Sequence, residues 1–137
     1  IGSAQFYWAF FKVYDITLYN KNGQYQTGNY PIALKIKYAR NIPKNELIET
    51  TIKQWQLQNI DWKPEWINEL KQIWPNVSED DELLLYIDYE SVSHFYFNAE
   101  AFGVINDPDF AENFLSIWLS DNTSQPQLRR QLLGLDS

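Results

Sequence analysis

Phe110-Ala111-Glu112-Asn113-Phe114-Leu115-Ser116-Ile117-Trp118-Leu119, followed by Leu128-Arg129-Arg130-Gln131-Leu132-Leu133-Gly134, is the stretch whose reading decides the fold. Phe110, Phe114, Ile117 and Trp118 recur at three- and four-residue spacing, which places them in one apolar stripe along a helix. Asp107-Pro108 opens that helix, because Asp is a strong N-cap and proline fits the first helical position. Ser124 is placed to cap a last helix over 125–133, and Gly134 fits its C′ position.

Upstream, the period of the apolar residues changes twice. Phe6 to Tyr19 is dense in aromatic and β-branched residues and reads as one long strand or two consecutive ones. Asn20-Lys21-Asn22-Gly23 is a turn. Ile32, Leu34, Ile36 and Tyr38 alternate with Lys35 and Lys37, the mark of a half-buried strand. Leu47, Ile48, Ile52 and Trp55 then predict a helix over about 44–58, and Trp66, Ile67, Leu70, Ile73 and Trp74 another over about 64–74. Pro64 suits a first turn and Pro75 ends the second helix. Strands resume at Leu83 to Tyr89, with a hairpin of Val92–Phe97 and Ala101–Ile105 around Asn98. The order of strands, helices, strands and helices predicts an α+β domain, with helices on one face of a largely antiparallel sheet.

The chain has 137 residues, which fits one domain spanning 1–137. Its composition, 45% hydrophobic and 17% aromatic, is that of a globular protein. A net charge of −7 gives no field to attract phosphate backbones or an anionic membrane surface, so nucleic-acid binding is not expected. With no Cys there is no thiolate nucleophile, disulfide or thiolate metal site. No run of 18 apolar residues predicts a transmembrane segment. The chain starts at Ile1 and enters strand-like sequence at once, which fits a mature chain whose leader has been removed. A periplasmic or secreted location is therefore expected, with a cytoplasmic one left open.

Four stretches together resemble the bacterial chalcone isomerase-like domain family. They are Phe11-Lys-Val-Tyr14-Asp-Ile-Thr-Leu-Tyr19, then Ala33-Leu34-Lys-Ile-Lys-Tyr38-Ala-Arg40, then Phe95-Tyr-Phe-Asn98 with Gly103-Val-Ile-Asn-Asp107, and the closing signature quoted first. The resemblance implies an open-faced β-sandwich, a curved antiparallel sheet covered by helices with a cleft between the layers. It also implies two known roles, ring closure of a chalcone to a flavanone and fatty-acid binding. Enzymatic members use an Arg near the first strand to stabilise developing negative charge and a Thr on the next strand. Fatty-acid binders clamp a carboxylate with Arg. Here no Arg precedes Arg40; by register Gln5 lies near the Arg place and Tyr14 near the Thr place. Both departures weigh against the isomerase reaction, so no catalytic residue is assigned.

The expected function is a non-catalytic binding domain for a hydrophobic or fatty-acid-like ligand. The alternatives are a protein-interaction domain without a small ligand, or an isomerase or lyase of altered specificity using Tyr14. The candidate ligand-binding residues are Gln5, Tyr7, Trp8, Tyr14, Tyr38 and Arg40. Tyr7 or Trp8 and Tyr14 would form the wall, with Gln5, Tyr38 or Arg40 at the polar end. The aromatic run Phe6 to Phe11 supplies that wall if its alternate side chains face a cleft, and plain core if they do not. His94, the one histidine, reads first as structural, and without Cys it makes no zinc site. Glu79-Asp80-Asp81-Glu82 lacks the spacing and glycine of a calcium loop and reads as a solvated turn. No cofactor or metal is implied.

Overall fold

The computed structural model describes residues 1–8 and 10–135. Six strands run in the order of the chain across one sheet: β1 (Gly2–Trp8), β2 (Phe11–Asn20), β3 (Ile32–Tyr38), β4 (Glu82–Ile87), β5 (Ser93–Phe97) and β6 (Glu100–Ile105). Every neighbouring pair is antiparallel. Helices α1 (Lys44–Leu57) and α2 (Pro64–Ile73) link β3 to β4, while α3 (Pro108–Leu119) and α4 (Pro126–Leu132) follow β6. The α+β reading holds.

Alternation along the strands decides which face carries the helices. Ile16 and Leu18, then Ile32, Leu34, Ile36 and Tyr38, then Leu83, Leu85 and Ile87, are buried in register with one another. Their neighbours Thr17, Lys35, Leu84 and Tyr86 lie on the open face, only half-buried. The period of two thus separates a core face from an uncovered one. The central helix is α3, with Phe110, Ala111, Phe114, Leu115, Ile117, Trp118 and Leu119 all buried. It is buried well beyond its predicted stripe because α1 and α4 flank it as the sheet supports it. Aromatic rings fill this layer edge-to-face: Trp66 on Phe110 at 5.7 Å and Trp74 on Phe114 at 6.0 Å.

Local chemistry sets the boundaries. The Asp107 side chain accepts from the Asp109 amide at 3.0 Å and so caps α3, as expected. Ser124 does not cap α4: Gln125 holds the N-cap position and the Ser124 hydroxyl donates to Gln54 Oε1 at 2.8 Å. Pro126 at the first turn removes one N–H that a cap would have served. Gly103 in β6 is required by packing, since a Cβ there would lie 2.5 Å from Ile73 Cγ1 of α2.

The aromatic run Phe6 to Phe11 is not one strand. β1 begins earlier than expected, at Gly2, the register shifts between Phe6 and Tyr7, and the chain reverses between Trp8 and Phe11. Phe6 packs against the core, whereas Trp8, Phe10 and Phe11 are exposed to solvent. Ala9, read as part of the same wall, lies outside the described residues.

Candidate functional site: an edge groove and an interior tyrosine pair

The β2–β3 register sets Tyr14 opposite Tyr38, their rings edge-to-face at 6.2 Å. Phe6 stacks on Tyr14 at 5.1 Å, and Trp118 Nε1 of α3 donates to the Tyr14 hydroxyl at 2.9 Å. Four elements therefore converge on one phenol. Burial pushes the Tyr14 hydroxyl up to about 12, and the Trp118 bond offsets this only in part. Burial also raises Tyr38, and the neighbouring Tyr14 raises it further. Both phenols are neutral at physiological pH. The rings pack where β1, β2, β3 and α3 meet.

Open space lies instead at the sheet edge. β1 is an outermost strand, and α4 runs beside it. Gly2 permits that approach, because a Cβ there would stand 2.3 Å from the Gln131 carbonyl oxygen. Between strand and helix lies a groove of about 830 Å³. Ala4, Phe6 and Leu128 give it an apolar strip; Ser3, Gln5, Thr17, Gln125, Gln127 and Gln131 make the rest of its lining largely polar. Asp15 is the charged side chain in this lining, and Lys12 holds it at 2.9 Å. Neither Lys nor Arg lines the groove among the described residues.

A second recess, of about 970 Å³, lies between residues 23–27 and the ends of α3 and α4. It is charged, with Glu112, Asp121 and Arg129 in its wall. Arg129 is already engaged, through Asp121 at 3.0 Å and the Leu119 carbonyl at 2.9 Å. Its guanidinium is therefore already committed, while Ile1, Tyr25, Leu119, Leu133 and Leu135 also give the recess an apolar lining.

The six candidate residues divide among three places. Gln5 and Tyr7 line the edge groove. Tyr14 and Tyr38 form the interior pair. Trp8 stands at the end of the β1–β2 hairpin, and Arg40 is exposed with its guanidinium 5.3 Å from the Phe11 ring. Residues not singled out from sequence complete the groove: Phe6 and Leu128 in its apolar strip and the α4 glutamines in its polar lining. Phe6 belonged to the flagged aromatic run, but solvent-facing glutamines carry no periodic signal.

The remaining polar clusters are structural. His94 Nε2 meets Asp88 Oδ2 at 2.7 Å, and this bond, with the amides of Val92 and Glu90, holds the Asp88 carboxyl below its usual range. The Ser93 hydroxyl is buried on the core side, the face opposite His94, so the two form no nucleophile–base pair. Asp81 accepts from the Ser78 amide and the Asn98 side chain, fixing the acidic turn. Among the described residues no group of three acidic or imidazole side chains could hold a metal.

The chalcone isomerase-like family model matches residues 2–134, nearly the whole chain. The chain belongs to the chalcone isomerase-like family. A protein of Haemophilus influenzae, described as uncharacterized, is 31% identical over 136 residues, covering 98% of this chain and 67% of that protein. The crystal structure of an Arabidopsis thaliana fatty-acid binding protein superposes with a TM-score of 0.66 at 12% identity, covering 96% of this chain and 84% of that one. At that identity the likeness is one of fold: an open sheet covered by helices on one face.

Proposed function

We propose that this chain is a non-catalytic binding domain for a hydrophobic or fatty-acid-like ligand, held in the groove between β1 and α4. The observation that carries the reading is the groove itself, whose volume of about 830 Å³ leaves room for an alkyl chain along Ala4, Phe6 and Leu128. The fatty-acid binding of the Arabidopsis protein with this fold supports the ligand class. By register Gln5 lies near the place where the resemblance puts an Arg in enzymatic members, and the interior phenols stay protonated, which supports a binding role over a catalytic one.

Native mass spectrometry of the purified protein, with extraction of any bound lipid, is the direct test. Titrating fatty alcohols and acids of increasing length should give affinity that rises by about 0.8 kcal/mol per buried CH₂ until the groove is full. With no cation in the described lining, acids and alcohols of equal length should bind alike. Gln131→Trp would fill the groove from an exposed position and should remove binding without lowering the melting temperature. If no chain length binds and no lipid co-purifies, the reading fails.

A further inference from the structure

Among the described residues, the end of the β1–β2 hairpin carries the two most exposed large apolar side chains, Phe10 and Trp8. Phe10 is 98% exposed, Trp8 68%, Phe11 59% and Tyr7 51%. None of them is needed inside, because Phe6 already completes the core beside Tyr14. Four adjacent aromatic residues held in water mark an interaction site. We propose that this hairpin end is an anchor that seats the domain on a zwitterionic lipid surface.

The order of side chains away from the tip favours lipid over protein. Phe10 is most exposed. Trp8 and Phe11 form the last rung of the ladder behind it, and Tyr7 with Lys12 the rung before. Arg40 lies over the Phe11 ring at 5.3 Å. An apolar tip, then amphipathic rings, then cations follows the polarity gradient from acyl chains through the interface to phosphate. A protein partner would need roughly 800 Å² on each side, yet the sheet face leading away from the tip turns polar at once, with Gln5, Asp15 and Lys37.

Charge selects the kind of lipid. The chain carries −7 overall, and the Glu79–Glu82 turn lies at this end of the sheet, joined to Asn41 through the Glu79 amide. Lys12 is already paired with Asp15. Anionic headgroups therefore add nothing, and a neutral phosphatidylcholine-like surface is the fitting occupant. Tyr7 lines the edge groove as well, so the anchor would set the mouth of the groove at the lipid surface. The anchor stands on the exposed tip and does not depend on the ligand reading.

Flotation with phosphatidylcholine vesicles, read together with quenching of Trp8 by brominated acyl chains, tests it. Wild-type protein should float and be quenched, and Trp8→Phe should lose most of the quenching. Phe10→Ser and Trp8→Ser should each lower partitioning by roughly ten- to a hundredfold with unchanged melting, since both side chains are exposed. Replacing part of the lipid with phosphatidylglycerol should not increase binding. Three results would overturn the proposal: no partitioning at any lipid concentration, equal partitioning of the Ser variants, or binding that appears only with phosphatidylglycerol and disappears with salt. A lipid-free dimer that Phe10→Ser converts to monomer would assign the tip to a second copy instead.

Discussion

Trp118→Ala removes the side chain that joins α3 to the sheet. Trp118 is 9% exposed, lies 5.4 Å from the Phe114 ring and donates at 2.9 Å to Tyr14. Truncating a buried Trp costs about 3–5 kcal/mol in lost burial and cavity. Depriving the buried Tyr14 hydroxyl of its donor adds about 1 kcal/mol. Against a total stability of roughly 5–15 kcal/mol, that is a large part of what holds the fold. For a chain of this size each kcal/mol moves the midpoint by roughly 3–5 °C, so the variant should melt on the order of 12–30 °C lower. Circular dichroism melts and urea titrations with an unchanged m-value would measure it. Trp118→Phe keeps a ring over Phe114 but loses the bond to Tyr14, and should fall between the two. A Trp118→Ala protein that melts like wild type would show that this side chain does not anchor α3 and would refute the reasoning.

Gly103→Ala places a Cβ against Ile73 of α2, where a contact of 2.5 Å must be relieved; overpacking of this kind costs about 1–3 kcal/mol, measurable by urea denaturation. The Asp107 carboxyl is held below its usual range, first by the Trp66 indole bond and further by Lys63 and the Asp109 amide. Its contribution is present above the unfolded-state pKa and lost as pH falls through the lower folded value. Acid titrations of wild type and Asp107→Asn should therefore diverge above pH about 4 and converge below it. Tyr14 has the opposite sign: its pKa is raised to about 12, so its contribution is complete below about pH 10 and is lost as pH rises towards 12. Absorbance titration should show its ionisation lagging behind that of the exposed tyrosines, or coinciding with alkaline unfolding; normal titration of every tyrosine would contradict the burial. Chalcone absorbance followed with and without the protein should show no acceleration of ring closure; stereoselective, protein-dependent closure would restore an enzymatic role.

Much of the fold was legible because its signals are strong and local. The alternation at Ile32, Leu34, Ile36 and Tyr38 and the spacing in the helices reported period directly, and Asp107-Pro108 marked the start of α3 within one residue. The reversal between Trp8 and Phe11 was not legible. No Gly, Asn or Pro lies between them, and aromatic residues raise strand propensity whether they end up buried or exposed. Density of rings left the run open as core or as pocket wall, whereas Trp8, Phe10 and Phe11 stand exposed to solvent. The groove was legible only through Gln5 and Tyr7. Its other wall comes from a helix more than a hundred residues away in sequence, brought close by a glycine whose need is visible only in the packed structure.

The interior and the edge are linked by volume. An Arg buried at the first strand would require space and a counter-charge within the layer. In this chain that layer is closed by Phe6, Tyr14, Tyr38 and Trp118, three rings and an indole that satisfy one another with a single polar contact between them. Such packing stabilises the sheet–helix contact. Space for a guest then remains where the sheet ends, beside β1, whose outer edge has no strand to pair with and whose tip presents its rings to the surroundings. Gln5 and Tyr7 stand between that edge and that tip, which is why two of the residues chosen from sequence occupy the groove while the cation chosen with them, Arg40, sits beside Phe11 at the hairpin end.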